Sequence, residues 1–255
     1  LPYYFMKGYK PDSPYLKYYE YIKKHGYSRH LYEFKDEYTN MPVNVQKDEK
    51  KGLYYVQQEK KRLYFRKSTP PKKIQKYYRA LSMEQDKRSP HHYFDSVKDV
   101  TGKVFVDIGC AEGYSSLEIV EEAKHIYLFE QDEQWLEAIR ATFEPWQDKV
   151  TIIQKYVSDH NSSREQTLDD FFNNQTDEHL FLKMDIEGAE RHALTGCKNL
   201  FQNCQKLDFA ICTYHLRDDE EVISTFLNKH NCAYINQKGF FRHRIRSVVM
   251  RGSKR

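Results

Sequence analysis

Long apolar runs are missing from this 255-residue chain. No stretch reaches the roughly 18 residues that a membrane-spanning helix needs, so no span is expected. No secretory leader is visible, and a cytoplasmic location is the expectation. Cysteine is scarce: Cys110, Cys197, Cys204, Cys212 and Cys232 are the five. None belongs to a C-x-x-C pair, which argues against a zinc site. An odd, scattered set suits free thiols in a reducing compartment. Asn161 and Asn174 each open an N-x-S/T pattern, which without a secretory context is read as chance. Also missing is the G-x-G-x-x-G turn that lets a backbone approach a diphosphate closely. An NAD-dependent oxidoreductase is therefore only the weaker alternative.

What is present is unevenly spread. The overall charge of +4 hides a basic front and an acidic remainder. Residues 1–100 hold 22 Lys+Arg against 12 Asp+Glu, and 16 of the 21 tyrosines. Two regions are expected: a basic, tyrosine-rich cap or substrate region over 1–100, and a cofactor-binding domain over 101–255. In the first, Tyr15–His25 reads as an amphipathic helix and Met41–Lys50 as irregular chain. Leu53–Gln57 and Arg62–Arg66 read as a hairpin. Pro70 and Pro71 open a helix that runs to about Gln85. His91, His92 and Tyr93 precede the second region, where they could close over a ligand or serve as a linker.

Val104 to Gly113 (VFVDIGCAEG) organises the rest. An apolar strand ends in Asp107, Gly109 makes a tight turn, and a helical pattern starts after Gly113. Strand and helix patterns then alternate. The helices are read at Tyr114–Ala123, Glu133–Phe143, Thr167–Phe172, Glu187–Thr195, Lys198–Phe201 and Asp218–His230. The fold class expected is α/β: a Rossmann-like, mostly parallel sheet with helices on both faces. The last two strands are linked by a short loop at Gly239, which permits only an antiparallel hairpin. His125–Glu130 ends in a carboxylate about 20 residues beyond the first turn, where such folds hold ribose hydroxyls. The wide D-x-G-x-x-x-G spacing favours a nucleoside cofactor without a diphosphate, and S-adenosylmethionine (SAM) fits.

A second constellation, FLKMDIEGAE, spans Phe181 to Glu190. Asp185 stands at the carboxyl end of a central strand, where open α/β sheets bind ligands. Glu187 and Glu190, three apart, are expected on one side of the next helix as partners of its dipole. In order and spacing, VFVDIGCAEGYSS, YLFEQD, TLDDFF and FLKMDIEGAE resemble the FkbM family of SAM-dependent methyltransferases. The resemblance covers roughly residues 102–250. One departure stands out. The family's first motif is usually D-x-G-A-N-x-G, and here Cys110, Ala111 and Glu112 fill the gap.

The resemblance implies O-methylation of a hydroxyl on a glycan or other small natural-product acceptor. It also implies that Asp107 and Gly109 line the methionine side of SAM, with Cys110, Gly113 and Gln131 among the cofactor contacts. Glu130 would hold the ribose, Tyr156, Val157 and Ser158 would flank the adenine, and Asp185 would face the methyl. General base catalysis works best near the operating pH, which favours histidine over a carboxylate. His215, just after the Leu207–Thr213 strand, is the expected base, with Asp185 orienting it or the acceptor. Asp185, Glu187 and His215 as ligands of a divalent metal are a competing reading, not the favoured one. The basic, aromatic front would also suit an anionic acceptor. A nucleic-acid-binding methyltransferase is an alternative, disfavoured because no N-P-P-Y-type motif follows the Asp185 strand.

Overall fold

The computed structural model describes residues 2–28, 31–173, 177–241 and 243–254, and all their side chains except those of 2, 3, 5 and 6. Asn174 lies outside the described residues. The chain opens with helices α1 (Pro2–Tyr9), α2 (Leu16–His25) and α3 (Lys35–Thr39). Strands β1 (Val45–Asp48), β2 (Leu53–Gln58) and β3 (Lys61–Tyr64) form a small antiparallel sheet. The expectation of irregular chain over Met41–Lys50 is corrected by β1. It is an edge strand with two exposed and two half-buried residues, so it carries no apolar alternation to read. Helix α4 (Pro71–Glu84) starts at the proline pair as expected, since proline lacks only a hydrogen bond that the first turn cannot make.

The large sheet comprises β4 (Val104–Ile108), β5 (His125–Phe129), β6 (Val150–Ile153), β9 (Leu180–Met184), β10 (Leu207–Cys212), β11 (Ala233–Phe241) and β12 (Arg244–Lys254). A two-stranded ribbon of β7 (Tyr156–Val157) and β8 (Glu165–Gln166) lies outside it. The helices after β4 are α5 (Tyr114–Glu118), α6 (Glu133–Phe143), α7 (Leu168–Phe171), α8 (Glu190–Thr195), α9 (Lys198–Asn203) and α10 (Asp219–Lys229). The strand order is β11-β12-β10-β9-β4-β5-β6, with β12 running antiparallel to β10 and β11 and the other pairs parallel. This is the parallel sheet with an antiparallel terminal hairpin that the alternating pattern predicts. The turn of that hairpin lies beyond Phe241, not at Gly239, which pairs with Arg246 inside the ladder. Helix α5 is shorter than its pattern. Ile119 and Val120 are fully buried but sit in tight turns, because burial periodicity does not distinguish a turn from a helical continuation over so few residues.

Side chains alternate across the sheet as the pleat requires. Val104, Val106, Leu182 and Ile211 pack on one face, and Phe105, Phe181 and Ala210 on the other. Phe105 and Phe181 are register partners and stack with centroids 5.3 Å apart. The apolar cluster on that second face includes Val43, Leu53, Phe65 and Ile74, so residues from both sides of position 100 share one core.

The order reverses at β4, whose neighbours are β5 on one side and β9 on the other. Open α/β sheets bind ligands at such a switch point. Gly109 turns the chain there at φ +78°. A Cβ at this position would lie 2.2 Å from the Asp185 carbonyl oxygen. The Gly109→Ala protein should therefore lose stability by roughly 2–3 kcal/mol or more, read as a lowered melting temperature. An unchanged melting temperature would contradict this packing.

Candidate functional site

Above the carboxyl ends of β4, β5, β6, β9 and β10 lies a cavity of about 1140 Å³. Four loop segments floor it: Asp107–Glu112, Phe129–Asp132, Lys155–His160 and Asp185–Glu187. Helix α4, through Lys76, Tyr77, Ala80, Leu81 and Glu84, supplies a wall, together with Arg66, Tyr93 and Tyr214. The volume exceeds what a drug-sized ligand requires, so cofactor and acceptor can both fit. Asp107, Gly109, Cys110, Glu130, Gln131, Tyr156, Val157, Ser158 and Asp185 all line this one space. Gly113 does not; it caps α5 in a left-handed conformation, hard against the Phe143 ring.

Beneath the floor, Asp107 and Lys183 are register partners on β4 and β9 and point to the same face. The Lys183 ammonium lies 2.8 Å from Asp107 Oδ1 and donates to the Gly109 carbonyl at 2.7 Å. Ser116 donates to the other Asp107 oxygen at 2.6 Å. Both ionised groups are buried. Burial disfavours the ammonium, but the Asp107 and Asp185 carboxylates outweigh it and raise the Lys183 pKa. Asp107 is thus committed to holding the glycine turn. Sequence reasoning assigned Lys183 no role, although a lysine within FLKMD, an otherwise apolar central strand, is itself a signal.

Glu130 accepts the Ala111 N–H through Oε2 at 3.0 Å and the Asp132 N–H through Oε1 at 2.8 Å. These bonds fix its direction and leave lone pairs for hydroxyl donors in the cavity. Ala111 adopts φ +47°, a left-handed conformation that suits asparagine better than alanine. Asp185 accepts from the Tyr93 hydroxyl at 2.8 Å and from the Tyr214 hydroxyl at 3.5 Å. Burial alone would push its carboxyl up; Lys183 and His215 hold it below the usual value. Burial and the Asp185 charge keep both phenols neutral, raising each well above the ordinary tyrosine value.

His215 stands next to Asp185 but does not line the cavity. Its Nε2 is 3.4 Å from Asp185 Oδ1 and 3.6 Å from Glu187 Oε2, and its Nδ1 bonds Glu190 Oε1 at 2.8 Å. Burial works against the imidazolium, but these carboxylates prevail and raise the His215 pKa. The expectation that Glu187 and Glu190 share one helical side is corrected. Glu187 adopts φ +54° in the turn before α8, and only Glu190 is helical. Glu190 is fully buried and also accepts the Ile186 N–H at 2.9 Å, so it anchors His215 and the turn at once. Asp185, Glu190 and His215 offer ligand atoms within 4.8 Å of one another. Glu190, not the expected Glu187, completes that set. His91 and His92 are buried; His91 bonds Tyr32 and His92 bonds Asp95, which places Tyr93 against Asp185.

Removing the cation of a buried pair strands its partner. Lys183→Met should cost about 3–5 kcal/mol in denaturant unfolding. Adding Asp107→Asn should restore part of that loss. A single substitution costing under about 1 kcal/mol would show that the pair does not hold the turn.

The Methyltransferase FkbM domain family matches residues 19–240, starting well ahead of the motifs at 102–250. No curated protein sequence matches the chain. Among solved structures, the chain is similar to methyltransferase FkbM from Methylobacillus flagellatus KT, at 18% identity and TM-score 0.49. That alignment covers 59% of this chain and 43% of the other, so the chain spans less than half of that protein's length. The tRNA m1G37 methyltransferase of M.jannaschii aligns at 14% identity and TM-score 0.48, over 79% of this chain and 56% of its own. Magnesium protoporphyrin IX methyltransferase from Synechocystis PCC 6803, with bound SAM, aligns at 13% and 0.46, over 74% and 86%. On the extent of the family match, the chain belongs to the FkbM methyltransferase family.

Proposed function

We propose that this protein transfers a methyl group from SAM to a hydroxyl of a small acceptor such as a glycan. The observation that carries the reading is one cavity over the sheet's switch point with Glu130 and Asp185 both in its floor. The residues present fit SAM: a glycine turn, a backbone-anchored carboxylate on the next strand, and room for a second ligand. SAM, when bound, supplies a methyl on an already activated sulfonium.

The chain's task is to place the acceptor and take its proton. Glu130 would hold the ribose hydroxyls, and Tyr156, Val157 and Ser158 would flank the adenine. Asp107 and Gly113 would act by holding the turn, while Gly109, Cys110 and Gln131 would face the cofactor. Asp185 would accept the hydrogen bond of the acceptor hydroxyl and set it in line with the methyl, the step in which positioning matters most. Tyr93 and Tyr214 restrict the carboxylate to one direction. His215 would act through Asp185, the nearer of the two floor carboxylates beside its Nε2. In this reading Asp185 orients the acceptor, one of the two roles expected of it, and His215 supports Asp185.

Titration calorimetry separates this reading from its rival. SAM and S-adenosylhomocysteine (SAH) should bind and NAD should not; binding of NAD alone would overturn it. Asp185→Asn should lower kcat by roughly 100-fold, the cost of a misplaced acceptor, while SAH affinity changes by less than about threefold. The readout is methyl-tritium transfer to hydroxylated acceptors. An unchanged kcat would remove Asp185 from the chemistry.

A further inference from the structure

Glu112 stands at the variable position of the first motif, directly after Ala111, which takes the place of the family's asparagine. Its side chain is buried, yet it lines the cavity. Each other carboxylate of the floor already has its counterpart: Asp159 has His160 at 2.8 Å and His192 at 3.0 Å, and Glu187 has His215 at 3.6 Å. Asp107 has Lys183, Asp132 has Arg66 at 3.0 Å, Glu130 has two backbone N–H groups, and Asp185 has Tyr93 and His215. Glu112 has the Tyr77 hydroxyl of α4 at 2.9 Å, a neutral donor. Among the described residues no ion pair holds it. A buried carboxylate open to a ligand cavity and lacking a cation is a receptor for one.

Resting on the SAM reading above, we infer that Glu112 binds a primary ammonium group, and that the amino-acid end of the methyl donor supplies it. The glycine turn brings Glu112 beside the floor segment that the donor's methionine moiety would cover. The Tyr77 hydroxyl occupies one carboxylate oxygen, so the bound ammonium shares the group with α4 and ties that wall to the turn.

Burial pushes the Glu112 carboxyl up to about 7, with Tyr77, Lys183 and Asp107 the groups that face it from α4, β9 and β4. Tyr77 in turn faces Glu84 and Arg66, and burial keeps its phenol neutral. A cation arriving at Glu112 stabilises its ionised form, so binding near pH 7 must expel a proton. The affinity for an ammonium ligand should rise with pH through about 7 and level off above it.

The test is calorimetry on the wild-type protein and Glu112→Gln, with SAH and with deamino-SAH, its analogue lacking the ammonium. The wild type should prefer SAH by roughly tenfold or more, as a charge-assisted bond implies. It should release protons on binding SAH at pH 7, seen as a dependence of the heat on buffer. Glu112→Gln should weaken SAH about tenfold, leave deamino-SAH within about threefold, and abolish the proton release. If that variant does not fold, the wild-type preference and proton release still decide. Equal wild-type affinity for the two ligands would overturn the assignment. So would intact SAH binding in Glu112→Gln with a raised KM for an amine-bearing acceptor, which would make the acceptor the source of the ammonium. A wild type that binds neither ligand would overturn the SAM reading itself.

Discussion

A lysine buried in the middle of the sheet sets the geometry of what lies above it. Lys183 bridges Asp107 on the neighbouring strand and the carbonyl of Gly109. Desolvating two charges is costly, and such a pair gives little net stability compared with an apolar replacement. It does give direction. With the ammonium fixed between β4 and β9, the glycine turn must leave the sheet where Asp185 also emerges. The Gly109 Cα can then approach the Asp185 carbonyl because no side chain intervenes. Cavity floor, cofactor turn and candidate acceptor site all descend from that one contact.

The acid at the end of β9 illustrates how a weak residue becomes directed. An isolated aspartate in water would neither point nor persist in one rotamer. Here two tyrosines donate to it, one from the segment before the sheet and one from the segment after β10. His215 and Glu190 extend the network away from the cavity. Lys183 and His215 together hold the Asp185 carboxyl below its usual range despite its burial. The front region is part of this construction, because α4 and Tyr93 close the cavity from its side.

Much of the fold was legible because the apolar strands β4, β5, β9 and β10 alternate with amphipathic helices, and burial on both faces writes itself as short continuous apolar runs. The carboxylates Glu130 and Asp185 were legible because strand ends at a switch point are where ligands bind. Less visible was β1, whose edge position leaves its residues polar. The position of Glu187 was hidden because a left-handed turn delays the start of α8, and glutamate gives no hint of that conformation. Tyr93 and Tyr214 could be named only as neighbours of motifs. Their convergence on Asp185 joins positions 92 and 29 residues away in sequence, and no local pattern encodes such a contact. The placement of His215 behind Asp185 depends on the same tertiary packing.

The position of the methyl donor relative to Asp185 decides the central claim, and a crystal structure with SAH bound measures it directly. The ribose hydroxyls are expected on Glu130. The sulfur is expected within about 8 Å of the Asp185 carboxylate, close enough for an acceptor hydroxyl, with at most one bridging water, to stand between them. A sulfur farther away than that, or a ribose held by residues other than Glu130, would contradict the assignment of this cavity as the methyl-transfer site.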